Sequence, residues 1–222
     1  MSNIGSKIVF FIIALLLTVF LFPGCQAPLE NGANDSDVDE TLGDAINTSN
    51  TPETLSSEQQ ELLERANIIL PFLKNKELGE LAQCVHKDKG VTFSPYAYIE
   101  ENAVKFTVAK LRTLKPTDKF IWSTATPSGL PFNESISNYF KDCVYSRDFI
   151  QAPQISVDKL TTHGGSLSNI ETVFPAAHFV EYYFPATEGE GVGLDWAILR
   201  LVFENVDGQW MLVAIINDTW VP

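Results

Sequence analysis

Three histidines, His86, His163 and His178, are the side chains best placed to move protons near neutral pH. The chain has no HExxH, no CxxC and no paired metal-ligand spacing, so a metal centre is not expected, and neither is a cofactor. His178 and Glu181 lie on one β-rich run at an odd separation, which puts them on opposite faces and rules out a same-face dyad. His86-x-Asp88 falls at the end of a helical stretch, where a cationic imidazole would complement the helix dipole. Ser166, in the loop His163-Gly164-Gly165-Ser166, lacks the strand–turn–helix context of a nucleophile elbow. GxSxG, P-loop and GxGxxG patterns are all missing, so composition and motif offer no defined reaction.

Arg200 sits amid an apolar run and shares a face with Trp196 and Glu204, so an Arg200–Glu204 ion pair is expected, with Ile215 as the cross-strand neighbour. Glu181 alternates with Phe179 and Tyr183 and reaches the same side of the sheet as Arg200. A mid-sheet Arg is either a carboxylate clamp for a ligand or, more commonly, a structural paired charge. Tyr96, Tyr98, Trp122, Tyr139, Tyr145, Tyr182, Tyr183 and Trp196 either line a pocket for a sugar or apolar ligand, or pack the core. The candidate pocket or interface is therefore Trp122, Tyr139, Tyr145, His178, Glu181, Trp196 and Arg200. A Cys84–Cys143 disulfide is chemically permitted outside the cytosol and would add roughly 4 kcal/mol. Both cysteines fall on apolar helical faces, however, which favours two buried thiols.

The elements that must position these residues centre on a hairpin. DWAILRLVFE and QWMLVAIIND flank Asp207-Gly208, the dipeptide that a type I′ turn requires. Pairing Val206 with Gln209 puts Leu199, Leu201 and Phe203 on one face with Leu212, Ala214 and Ile216. The opposite face is mixed but greasy enough to suggest a dimer or partner interface. Upstream, Ser57 looks like a cap before a helix carrying Leu62, Leu63, Ala66, Ile69, Leu70 and Leu73, which Pro71 should kink or end near Leu70. A second helix is expected over about 76–85, a strand at 91–93, and strand turning into helix over 103–113. A strand at 119–123, helical spacing over 135–145, a short strand at 155–157 and a long strand over 174–184 complete the order.

Lys7 precedes fifteen residues, Ile8 to Phe22, with one polar member, Thr18; that is leader length and short of a spanning helix. Gly24-Cys25 follows directly and resembles the lipobox of bacterial lipoproteins, which implies a diacylglycerol on the Cys25 thiol. Residues 26–58 hold eight acids and no Lys or Arg, accounting for most of the net charge of −13. That polar stretch cannot bury enough surface to fold and reads as a disordered tether. The division expected is 1–24 leader, 25–57 acylated Cys25 and tether, and 58–222 a single domain. An acidic domain on an acidic tether repels phosphate, so nucleic acid is not an expected partner.

Helices ahead of long antiparallel strands give an α+β order. It resembles the nuclear-transport-factor-2-like (cystatin-like) cone, which implies N-terminal helices packed on a strongly curved antiparallel sheet around a pocket. Residues 81–96 (LAQCVHKDKGVTFSPY), WSTATPSG, DCVYSRDF, FVEYYF and DWAILRLVFENVDGQW…VAIINDTW are similar to an uncharacterised bacterial lipoprotein family. Its members carry His-Pro-Glu/Asp-Lys-Gly before Phe-Ser-Pro-Tyr and close on Ile-Ile-His-Asp-x-Trp-Thr. This chain departs at Lys87, at Thr124-Ala125, and at Asn217, where His is expected. The resemblance implies an extracytoplasmic, membrane-anchored protein and no activity. The tether, the missing catalytic motifs and the greasy second face lead to the expectation of a non-catalytic domain that binds a cell-wall component, small molecule, envelope protein or second copy. A small hydrolase or isomerase working in the cone pocket is the alternative.

Overall fold

The computed structural model describes residues 54–126, 129–161, 167–187, 193 and 195–219. Cys25, the leader, nearly all of the tether and the His163–Ser166 loop lie outside the described residues. The described part belongs to one compact unit, Thr51–Pro222. Among the described residues no helix is long and apolar enough to cross a membrane.

Helix α1 (Ser57–Asn75) starts one residue earlier than the sequence suggests. Ser56 is the cap: its hydroxyl accepts from Gln59 N, and the Gln59 side chain accepts from Ser56 N, a reciprocal capping box. Leu55 packs against the core, so the fold begins ahead of residue 58. Pro71 does not end the helix. It lies on the exposed side, while Leu70 and Leu73 stay buried, and the end comes at Lys76 in the left-handed conformation. Leu62, Ala66, Ile69, Leu70 and Leu73 form the buried stripe, each of the larger ones contributing about 1.5–3 kcal/mol. Helix α2 (Leu78–Cys84) follows.

The sheet has six strands in the order β2-β1-β8-β7-β6-β5 and is mostly antiparallel. These are β1 (Val91–Ser94), β2 (Val104–Phe106), β5 (Gln154–Val157), β6 (His178–Phe184), β7 (Ala197–Val206) and β8 (Gln209–Thr219). The exception is β1, which runs parallel to β8. Strands β3 (Lys119–Ser123) and β4 (Phe132–Ser135) form a separate hairpin. Short helix α3 (Val108–Leu111) follows β2, and α4 (Ile136–Tyr139) runs into a π-helical turn, Phe140–Val144. Helix α5 (Ile170–Val173) occupies the approach to the long strand, so β6 begins at His178 rather than near Phe174. Gly90, at φ 70°, precedes β1; a Cβ there would meet Phe106 O at 2.4 Å, so the sheet edge admits only glycine.

The β7–β8 hairpin turns at Asp207 (φ 52°) and Gly208 (φ 81°), with Val206 opposite Gln209 as expected. Its register then changes. Phe203 pairs with Leu212 but Val202 pairs with Ala214, leaving Val213 as an extra residue. This bulge sends Ala214 and Ile216 to the face opposite the one assigned from the alternation, and brings Ile215 and Asn217 to the helix side. Arg200 consequently faces Ile216, not Ile215.

Each face of the sheet is covered. The helix side carries the main core, including Phe93, Phe106, Trp122, Tyr139, Phe140 and Leu212. Trp122 and Tyr139 stack with centroids 3.6 Å apart at 3°, and Phe93 meets both edge-on. The second face, expected as an open interface, is a second core: Phe179, Val202, Val213, Ala214 and Ile216 lie under Ile99, Ile170 and Phe174. Segments 96–103 and 167–177 thus cover from within the chain the surface that looked free for a partner.

Candidate functional site

The sequence-derived candidates do not converge. Trp122 and Tyr139 are fully buried in the aromatic stack, and Trp122 Nε1 donates to Glu134 O at 2.9 Å. Both belong to the main core on the helix side of the sheet and line none of the described clefts. Tyr145 donates to Asp148 Oδ1 (2.9 Å) and accepts from Ile150 N (3.2 Å). Burial first, then the Asp148 carboxylate, pushes its phenol up to about 12. Asp148 in turn is held below the usual carboxylate range by Lys74 and Tyr145. Trp196 packs with Tyr183 and Ile198 in a small cluster of its own.

Glu181 and Arg200 meet as a buried pair at 2.5 Å, with side chains 0% and 2% exposed. Thr161 N donates to Glu181 Oε1 at 2.9 Å, Arg200 Nη2 reaches Thr161 O at 3.4 Å, and Asp218 Oδ2 lies 3.7 Å from the same nitrogen. The Arg200–Glu204 pair expected from the alternation does not form, because Lys89 takes Glu204 at 2.5 Å. Two carboxylates lie around Arg200, and its Nη1 is buried without a hydrogen-bond partner. Arg200 ties β6, β7 and β8 together.

His86 is tied to its own turn rather than to the carbonyl end of a helix: its Nδ1 accepts from Asp88 N (3.2 Å) and Lys89 N (3.1 Å). Cys84 and Cys143 are free thiols. Burial pushes both up, Cys143 to about 12, so neither supplies a thiolate at neutral pH. No group of three His, Cys, Asp or Glu among the described residues could hold a metal ion.

His178 lines one of the described clefts, and the elements around it explain why. β5 ends at Val157, and Asp158 turns the chain at φ 54°. That turn lets one carboxylate serve two partners: Oδ1 accepts from Phe179 N at 2.9 Å and Oδ2 lies 2.8 Å from His178 Nδ1. A carboxylate only accepts, so Nδ1 carries the proton, and Nε2 is left to accept when the ring is neutral. The imidazole also sits edge-on to Trp210, centroids 5.3 Å apart. The His178 and Asp158 side chains remain 49% and 30% exposed.

Trp210 organises the surroundings. It enters β8 just after the hairpin turn, its carbonyl accepts from Arg65 Nε at 3.1 Å, and its ring is buried under α1. Its Nε1–H is buried and has no partner. A cleft of about 250 Å³ opens on one side, lined by Ser56, Glu58, Gln59, Leu62, Asp158, His178 and Trp210. A second, of about 310 Å³, lies between Glu61, Glu64, Arg65, Ile68, Gly208, Gln209 and Trp210. A third, also about 310 Å³, lies between the His86–Asp88 turn and the tip of the hairpin. The Asp158–His178 arrangement has the orienting carboxylate of a general base. The cleft's one hydroxyl, Ser56 Oγ, already accepts from Gln59 N as the helix cap, so no placed nucleophile accompanies it.

Sequence reasoning missed Asp158 and Trp210. Asp158 follows a short strand and precedes a loop, where a left-handed Asp is a common turn device, but nothing in the spacing ties it to His178. Trp210 was legible as a hairpin residue next to the turn, not as the wall of a cleft. No protein-family model matches the chain, and no curated protein matches it either.

Proposed function

We propose that this chain is an extracytoplasmic lipoprotein, anchored to a bacterial membrane through Cys25, whose folded domain binds a ligand or partner without transforming it. The observation that carries the anchoring is Gly24-Cys25 set between a fifteen-residue apolar run and an acid-rich stretch without Lys or Arg. Several acyl chains on one residue meet the requirement that a single chain anchors only marginally. Support for binding over catalysis comes from the Asp158–His178 cleft, which presents hydrogen-bonding groups without a placed nucleophile. In the same reading the domain is a nuclear-transport-factor-2-like cone; N-terminal helices over one face of a mostly antiparallel sheet support it, while the parallel β1–β8 pair departs from it. A small hydrolase or isomerase is the second reading, favoured by the carboxylate-oriented His178 and disfavoured by the engagement of the cleft hydroxyl, Ser56 Oγ, in the helix cap.

Expression in a bacterium with radiolabelled palmitate tests the anchoring. The chain should take up label and partition with membranes, and Cys25→Ser should lose the label. Equal labelling of the variant and the parent would overturn the proposal.

A further inference from the structure

We propose that the two clefts flanking Trp210 form a two-subsite groove for a short neutral glycan, the size of a disaccharide. This rests on the binding-domain reading above and names the ligand class. The clefts, about 250 and 310 Å³, share Trp210 as their common wall. Each is at or below the lower end of the roughly 300–1,000 Å³ that holds a drug-sized molecule, so each suits one sugar ring. Along α1 the lining runs from Glu58 through Glu61 to Glu64, a rise of roughly 9 Å, about the length of two linked rings.

The chemistry of the lining points to hydroxyl groups. Glu58, Glu61, Glu64 and Asp158 offer carboxylate acceptors, each with room for more than one O–H donor. Glu58, Glu61 and Glu64 hold no ion pair among the described residues. Donors come from the same helix: the Gln59 amide and the Arg65 guanidinium. His178 adds an Nε2 acceptor held in orientation by Asp158. Trp210 walls both clefts, a residue only 6% exposed whose Nε1–H is buried without a hydrogen-bond partner. Hydroxyls both donate and accept and so match this mixture. Phosphate or carboxylate ligands meet four acids against Arg65 and are repelled. A cationic amine would suit the acids but offers Arg65 no acceptor.

The test is a titration of the full chain in detergent micelles, following the indole N–H resonance of Trp210, assigned by its loss in Trp210→Phe. The probes are N,N′-diacetylchitobiose and cellobiose, with inorganic phosphate and the dipeptide Gly-Lys as comparisons. One of the disaccharides should move the Trp210 resonance saturably, and phosphate should not. Glu58→Gln and His178→Ala, both at exposed or half-exposed positions, should each weaken that binding at least fivefold while leaving the rest of the spectrum folded. Silence toward both disaccharides, a response to Gly-Lys alone, or unchanged affinity in both variants would overturn the proposal. A chain that stays membrane-bound through Cys25 yet fails these titrations sinks the glycan groove alone. Retained sugar binding in a chain whose Cys25 is never acylated would sink the anchoring and leave the groove standing.

Discussion

Two carboxylate pairs involve residues three apart on β6 that point to opposite faces of the sheet. Glu181 meets Arg200 in complete burial, whereas His178 meets Asp158 half in solvent. The first spans neighbouring strands, and removing either partner strands a charge in the protein interior. The second costs little to break because water replaces the lost partner. Burial therefore separates a group that holds the sheet together from one that remains available to a ligand, although their chemistry is alike.

The largest effect that would break this contrast is at Arg200. Arg200→Met leaves Glu181 and Asp218 without their cation and should cost about 3–5 kcal/mol in urea unfolding. The double change Arg200→Met with Glu181→Leu should recover much of that loss, since paired apolar residues tolerate burial. A single variant as stable as the parent would mean the pair is not the tie that its geometry implies.

Alkali should reach the buried side alone. The Cys143 thiol rises from 9.0 to about 12 and the Tyr145 phenol from 10.0 to about 12 on folding, both chiefly by burial. A raised acid keeps its full contribution below the unfolded value and loses it as pH rises through the folded one. Stability should accordingly decline from about pH 9 toward 12, and Cys143→Ala should flatten the first part of that decline. A pH–urea series checks both.

Smaller again is Tyr139→Phe. The Tyr139 hydroxyl is buried without a partner, so deleting it should change stability by less than about 1 kcal/mol in either direction. Smallest is His178→Gln, which should shift stability by less than about 0.5 kcal/mol, because both partners remain hydrated. A loss near that of Arg200→Met would make the Asp158–His178 pair structural and abolish the contrast.

Local chemistry made much of this legible. Asp207-Gly208 specified the hairpin turn, Ser and Gln spacing marked the start of α1 to within a residue, and period-two alternation put Glu181 on the side of Arg200. The bulge at Val213 was not legible for a physical reason. Both faces of β8 are apolar, so a one-residue slip leaves the pattern reading the same. The covering of the second face was hidden likewise, because Ile99, Ile170 and Phe174 lie in short irregular segments without a period. For the candidate site, His178 could be singled out by type. Asp158 and Trp210 join it only through the packing of β5, β6 and β8, which alternation along one strand does not encode.

The parallel pairing of β1 with β8 has a consequence for the order of assembly. Thr92 must wait for Ala214, and Arg65 for the Trp210 carbonyl, before the early part of the chain acquires its neighbours. A chain emerging from the ribosome amino end first therefore holds α1 and β1 without their sheet until the closing hairpin is made. Contacts so distant along the sequence form slowly. That delay keeps the polypeptide unfolded until its last two strands exist, a state that suits the export proposed above.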